Sequence, residues 1–221
     1  MSSKQKKASF FLIWLLILVL GPISVLKNTP FSKLTFQDFP LLINFLQRMA
    51  ALLIFSLLFV QIILGAWMQK WIEKFGGWIF RFHVTQGAIA YSLILAHPLL
   101  FFLYNFKIKG VLDPFYVFTD FCLLCPKPIE LYYTFGRVAF WFLSLAVIAA
   151  ILRAEVWWRK NWRKFHILNY FTFFLIAVHA WFTGIDIKTP PFLWLFWIAV
   201  ITTATTIIYN PPFLKINPES L

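Results

Sequence analysis

Six times along the chain an apolar run reaches the length of a membrane crossing, over residues 10–26, 41–68, 82–106, 131–152, 165–184 and 191–209. A helix rising 1.5 Å per residue needs about 20 such residues to cross the hydrocarbon. Backbone that enters lipid must also satisfy its own polar groups, which a helix does and an irregular segment does not. With 61% hydrophobic and only 13% charged residues in 221, the chain has more apolar surface than one soluble core of this size can hide. The expected fold is all-α, an integral membrane six-helix bundle.

The formal charge of +12 follows from topology rather than from a nucleic-acid surface, because the basic residues lie in short runs between the apolar segments. Six spans put both termini on one side. The segments on that side hold Lys4, Lys6, Lys7, Lys70, Lys74, Arg81, Arg153, Arg159, Lys160, Arg163, Lys164 and Lys215, twelve of the twenty Lys and Arg. The positive-inside rule makes that side cytoplasmic, in a plasma membrane expected to be bacterial, and leaves the 107–130 loop outside. The three lysines before the first run invite comparison with a signal peptide, but no small-residue cleavage site follows, so a signal anchor or ordinary first span fits better. One domain is expected over 1–221, with 1–9 and 210–221 as cytoplasmic tails. Neither GxGxxG nor GxxxxGK[ST] occurs, so the chain shows no nucleotide-binding module.

All four histidines fall on two spans, His83 and His97 on the third, His166 and His179 on the fifth. Ionisable groups inside a bilayer are costly and mark function by default, although a single one also fits a hydrogen-bonded packing role. Spans three and five run in the same direction, so the histidines pair by depth across helices: His83 with His166 at the inner level, His97 with His179 at the outer. At 1.5 Å per residue the levels stand about 20 Å apart, room for one flat cofactor near each face. Two imidazoles on facing helices can fill both axial positions of a haem iron, which then transfers electrons with no open site. The expected bundle therefore stacks two haems between helices three and five. Fourteen residues at about 100° each bring His97 to within about 40° of the face of His83, whereas thirteen put His179 about 140° from His166 on an ideal helix. Gly87, one turn beyond His83, fits close approach of a porphyrin to the backbone or a small residue at a helix contact.

The His-x13-His of span three, the His-x12-His of span five and the approach WRKFH at 162–166 resemble the ferric reductase-like transmembrane domain of NADPH oxidases and ferric reductases. The six-span layout covers nearly the whole chain. The resemblance implies two b-type haems, an inner one on His83 and His166 and an outer one on His97 and His179, with electrons passing outward to ferric iron, dioxygen or another oxidant. Members of that family usually continue into a flavin- and NADPH-binding region, which does not follow here. The implied donor is a cytoplasmic NAD(P)H–flavin reductase, a partner supplying the flavin, and the chain itself an oxidoreductase component. A related haem subunit serves a periplasmic methionine sulfoxide reductase; its pattern lacks the histidine at the position of His83, so the present spacing favours the two-haem branch. A reading of another class is a non-redox transporter or proton relay built on titrating histidines.

Arg48, within the second span, suits an outer-haem propionate or snorkelling to the interface, and Arg137 at the start of span four has the same two readings. Arg81 and Arg163, each within three residues of a histidine, could meet inner propionates, though topology alone accounts for them. Phe171, Phe173 and Phe174 lie between the two levels, where ordinary packing is the better account. Trp157, Trp158 and Trp162 fit an interfacial belt, in a chain whose remaining partners are membrane lipids. Cys122 and Cys125 form a CxxC in the outer loop, expected first as a structural disulfide, with a redox-active pair or free thiols as the other readings.

Overall fold

A computed structural model describes residues 2–35 and 37–210. Lys215 and the rest of the tail at 211–221 lie outside the described residues, as does Met1. The described chain is 85% helical, without strands, and six of its helical stretches are long and apolar enough to cross a membrane. They are α1 (Ser3–Asn28), α2 (Phe39–Ala66), α4 (Trp78–Lys109), α6 (Pro128–Ile151), the pair α7 (Val156–His166) and α8 (Leu168–Thr183), and α9 (Phe192–Tyr209). Two shorter helices, α3 (Met68–Phe75) and α5 (Tyr116–Thr119), sit at opposite ends of the bundle.

Local chemistry explains the helix ends. Ser2 and Gln5 form a reciprocal capping box at the start of α1. The Asp38 carboxylate accepts from Leu41 N (3.0 Å), and prolines stand in the first turns of α2 and α6, where no intrahelical donor is lost. Gly76 and Gly110 close α3 and α4 at φ +91° and +70°, conformations that cost a glycine little. Helix α3 occupies residues expected to form a loop: its sequence, MQKWIEKF, is short but strongly two-sided and packs Trp71, Ile72 and Phe75 against the bundle. The fifth span likewise starts at Val156 rather than residue 165, so the basic WWRKNWRK is itself helical.

Helix α2 is the central post. Its buried face runs from Ile43 to Ala66, and Phe55 gathers Phe173, Phe192 and Phe196 at ring separations of 5.1, 5.8 and 5.3 Å. The main packing pairs are α2 with α4 and α6 with α8; α4 and α8, the histidine-bearing helices, have no extended packing against each other. On α4 the buried residues Ile79, Gln86, Ala90 and Ile94 form one stripe at helical spacing, and His83 and His97 fall on the same face of that helix. Both described chain ends lie on one face of the bundle, called here the terminal face. His83 and His166 stand toward it, His97 and His179 toward the opposite face.

The contact of α1 with α2 depends on Gly21, where a Cβ would come 2.9 Å from Leu52 Cβ. Gly21→Val must separate the two helices or strain the contact, and a loss of about 1–3 kcal/mol is expected. Thermal unfolding in detergent should show the lowered stability.

Candidate functional site

The two histidine levels differ in how they are built. At the opposite face His97 and His179 line a cavity of about 440 Å³ enclosed by α2, α4, α5, α6 and α8. Its walls are mainly apolar, with Phe55, Ile94, Phe140, Leu143 and Ile176 among them, and its polar groups include Arg48, Tyr104, Tyr133 and Arg137. His97 Nδ1 lies 3.3 Å from the carbonyl of Gln47 on α2, and His179 Nδ1 lies 2.9 Å from that of Tyr132 on α6. A carbonyl can only accept, so each Nδ1 must carry the proton, and each Nε2 keeps its lone pair. That tautomer is the one that ligates a metal through Nε2, with the carbonyl orienting the ring.

Gly136 is the residue that admits the His179 ring. A Cβ there would stand 2.8 Å from Nδ1 and 2.9 Å from Cε1. Nothing in the periodicity marks this glycine, because the constraint comes from α8, distant in sequence.

At the terminal face the His83 and His166 rings stand 6.4 Å apart, centre to centre, at an interplanar angle of 71°. Two imidazoles on opposite sides of one metal, bound at about 2.0–2.1 Å each, put their ring centres about 6 Å apart, so the spacing fits such an ion. His166 is the last residue of α7 and packs on Trp162 (5.7 Å). Asn169 Nδ2 lies 3.5 Å from His166 Nδ1, while the buried Asn169 Oδ1 has no partner. Exchanging the amide oxygen and nitrogen, which have nearly the same shape, would let that oxygen accept from Nδ1. His83 Nδ1 is buried without a partner.

Gly87 faces α2 rather than the space between the histidines: a Cβ would come 3.2 Å from Gln61 Nε2, which donates to the His83 carbonyl at 2.7 Å. Its small size serves a helix contact. Gly65 on α2 is the glycine nearest the imidazole, with His83 Cε1 3.6 Å from the position of a Cβ.

The arginines divide by burial. Arg48 holds Asp186 in a two-pronged pair, Nε to Oδ2 at 2.6 Å and Nη2 to Oδ1 at 2.5 Å, and its Nη1 donates to Thr29 Oγ1 at 2.9 Å. Asn28 Nδ2 adds a bond to Asp186 Oδ1 at 2.7 Å. Asp186 was no candidate in the sequence, although an acidic residue seven positions past a membrane histidine, one of eight in the whole chain, was the available signal. Arg137, 4% exposed, donates to the Asp120 carbonyl and makes only long ion pairs to Asp120 (3.7 Å) and Glu130 (4.0 Å). Arg81 and Arg163 are exposed at the terminal face, Arg163 lying over the Trp162 ring.

The loop after α4 roofs the cavity through Val117 and Phe118. Cys122 and Cys125 are joined by a disulfide, and Thr134 Oγ1 bonds both the N–H and the carbonyl of Cys122. Among the described residues no three His, Cys, Asp or Glu side chains converge as a metal cage. A metal held by either histidine pair would therefore need its remaining ligands from a group that brings its own.

No family model, curated protein or solved structure matches the chain.

The Arg48–Asp186 pair has side-chain exposures of 17% and 4%, so stranding either charge is expensive. Asp186→Asn is expected to cost about 3 kcal/mol, and the double variant Arg48→Met/Asp186→Leu less than that. A double-mutant cycle on unfolding in detergent measures the coupling.

Proposed function

We propose that the chain is a transmembrane electron conduit that carries two b-type haems, one held by His83 and His166 and one by His97 and His179. It would take electrons from a flavoprotein or similar donor on the terminal face, read as cytoplasmic, and deliver them to an oxidant at the other. In this reading it is a counterpart of the ferric reductase-like transmembrane domain, in a bacterial plasma membrane.

The observation that carries the reading is the tautomer lock at His97 and His179. Two half-buried imidazoles line one mainly apolar cavity, each Nδ1 spent on a helix carbonyl and each Nε2 left as a ligand. The 6.4 Å spacing of the second histidine pair points the same way. A haem held by each histidine pair would supply one-electron redox chemistry.

The chain's own groups do the rest. Leu143, Ile176 and the phenylalanine rings give the cavity its apolar walls, and the carbonyls of Gln47 and Tyr132 hold the imidazoles in one orientation. Arg137 is the better-placed cation for an anionic substituent, since its firm bond goes to a neutral carbonyl while Arg48 is already matched by Asp186. Arg48 would share its charge between Asp186 and such a group. Exposed Arg81 and Arg163 remain available to anions at the terminal face, including a docked donor.

One observation favours a second reading. His83 Nδ1 lacks the carbonyl that its counterparts have, which suits a chain with haem only at the His97–His179 level, as in the methionine sulfoxide reductase partner.

A pyridine haemochrome assay on the purified protein decides among these. Two b haems per chain are expected; one selects the second reading, and none leaves a non-redox histidine protein. His97→Ala and His83→Ala should each reduce the count from two to one. Gly136→Val, which places a side chain where the His179 ring lies, should lose the same haem as His97→Ala and leave the other spectrum unchanged.

A further inference from the structure

A second groove, away from the histidines, lies at the terminal face, where three helix faces meet. Helix α1 contributes Lys6, Phe10, Ile13, Trp14 and Ile17, at spacings that keep them on one side of a helix. Helix α2 contributes Phe59, Val60, Ile63 and Leu64, and α3 closes the end with Trp71, Lys74 and Phe75. The space measures about 510 Å³ and its walls are almost wholly apolar.

Two features distinguish this groove from ordinary membrane-facing surface. Helix α3 is pinned across it by Trp71 Nε1, which donates to the Ile63 carbonyl at 3.2 Å, so the groove has a fixed end as well as sides. Its lining residues with polar side-chain groups are Ser9, Lys6 and Lys74, and among the described residues neither lysine has an acidic partner. The nearby carboxylate of Glu73 accepts from Gln69 instead. An apolar slot leading to two unneutralised cations at the end of a membrane span is the complement of an anionic phospholipid: acyl chain along Ile13, Ile17 and Phe59, phosphate between Lys6 and Lys74.

We infer that this groove binds one anionic phospholipid selectively, with Lys6 and Lys74 as headgroup ligands. The charge argues against a neutral quinone, and a chain-like slot on the membrane side argues against a water-soluble anion. Occupancy would brace the junction of α1, α3 and α4, since Phe10 also packs on Phe75 at 5.7 Å and Phe82 at 5.1 Å, and Trp14 donates to Gln86 at 2.7 Å. The inference does not depend on what the histidines bind.

Native mass spectrometry of the full chain in an equimolar mixture of phosphatidylglycerol and phosphatidylcholine of equal chain length tests it. One retained phosphatidylglycerol is expected. Each lysine near a membrane surface is worth about fivefold in anion preference, so Lys6→Gln and Lys74→Gln should each lower it by about that factor, and together abolish it. Ile13→Trp, which fills the slot without touching the charges, should also displace the lipid. Equal retention of the two lipids, a preference surviving in the double lysine variant, or a quinone or second protein copy in the groove would each overturn the inference.

Discussion

An imidazole in hydrocarbon has no water to bond, and the bundle is organised around how that deficit is met. His97 on α4 finds its acceptor on α2, and His179 on α8 finds its own on α6. These are the same partnerships that dominate the helix packing. The molecule is thus built from two units, each a histidine-bearing helix laid against the helix that orients its ring. A helix carbonyl has two lone pairs, so it can serve the imidazole while keeping its place in the backbone ladder. Orientation is obtained without adding a polar side chain to the apolar wall.

Charge obeys the same rule. The guanidinium of Arg48 is satisfied by Asp186 and Thr29, and Asn28 completes the carboxylate. That cluster joins the end of α1, the body of α2 and the turn after α8, so three segments far apart in sequence are fixed beside one cavity. Hydrogen bonds to charged groups contribute about 1.5–3 kcal/mol each, more than neutral ones, and in this setting they also fix geometry. Arg137 is different. It donates to a neutral carbonyl on the loop that carries the disulfide, which ties the cavity roof to α6, and its ion pairs to Asp120 and Glu130 are long.

Much of this architecture was legible in the sequence because it rests on local quantities. Length and hydropathy located six spans, and the depths of the four histidines followed from counting residues along them. What could not be read was pairing across the chain. Arg48 and Asp186 are 138 positions apart, and the carbonyl partners of His97 and His179 are backbone atoms that no residue type announces. The glycines depend on pairing in the same way. Gly87 stood out by its nearness to His83, yet it faces Gln61, while Gly136, unremarked on another helix, is the one whose missing side chain admits an imidazole.

The spacing of thirteen on the fifth span goes with an interrupted helix. On a single ideal helix, residues thirteen apart point about 140° from each other, so one of His166 and His179 would face away from the partner helix. The structure breaks that helix at Ile167, directly after His166. That interruption is one residue wide, and Ile167 itself keeps a right-handed helical backbone (φ −64°, ψ −25°), so His166 and His179 stand on adjoining segments of one span. Helix α4 has no such interruption between His83 and His97, which are fourteen positions apart and share a face. The two spans thus differ in both spacing and continuity, although each carries one histidine at each level.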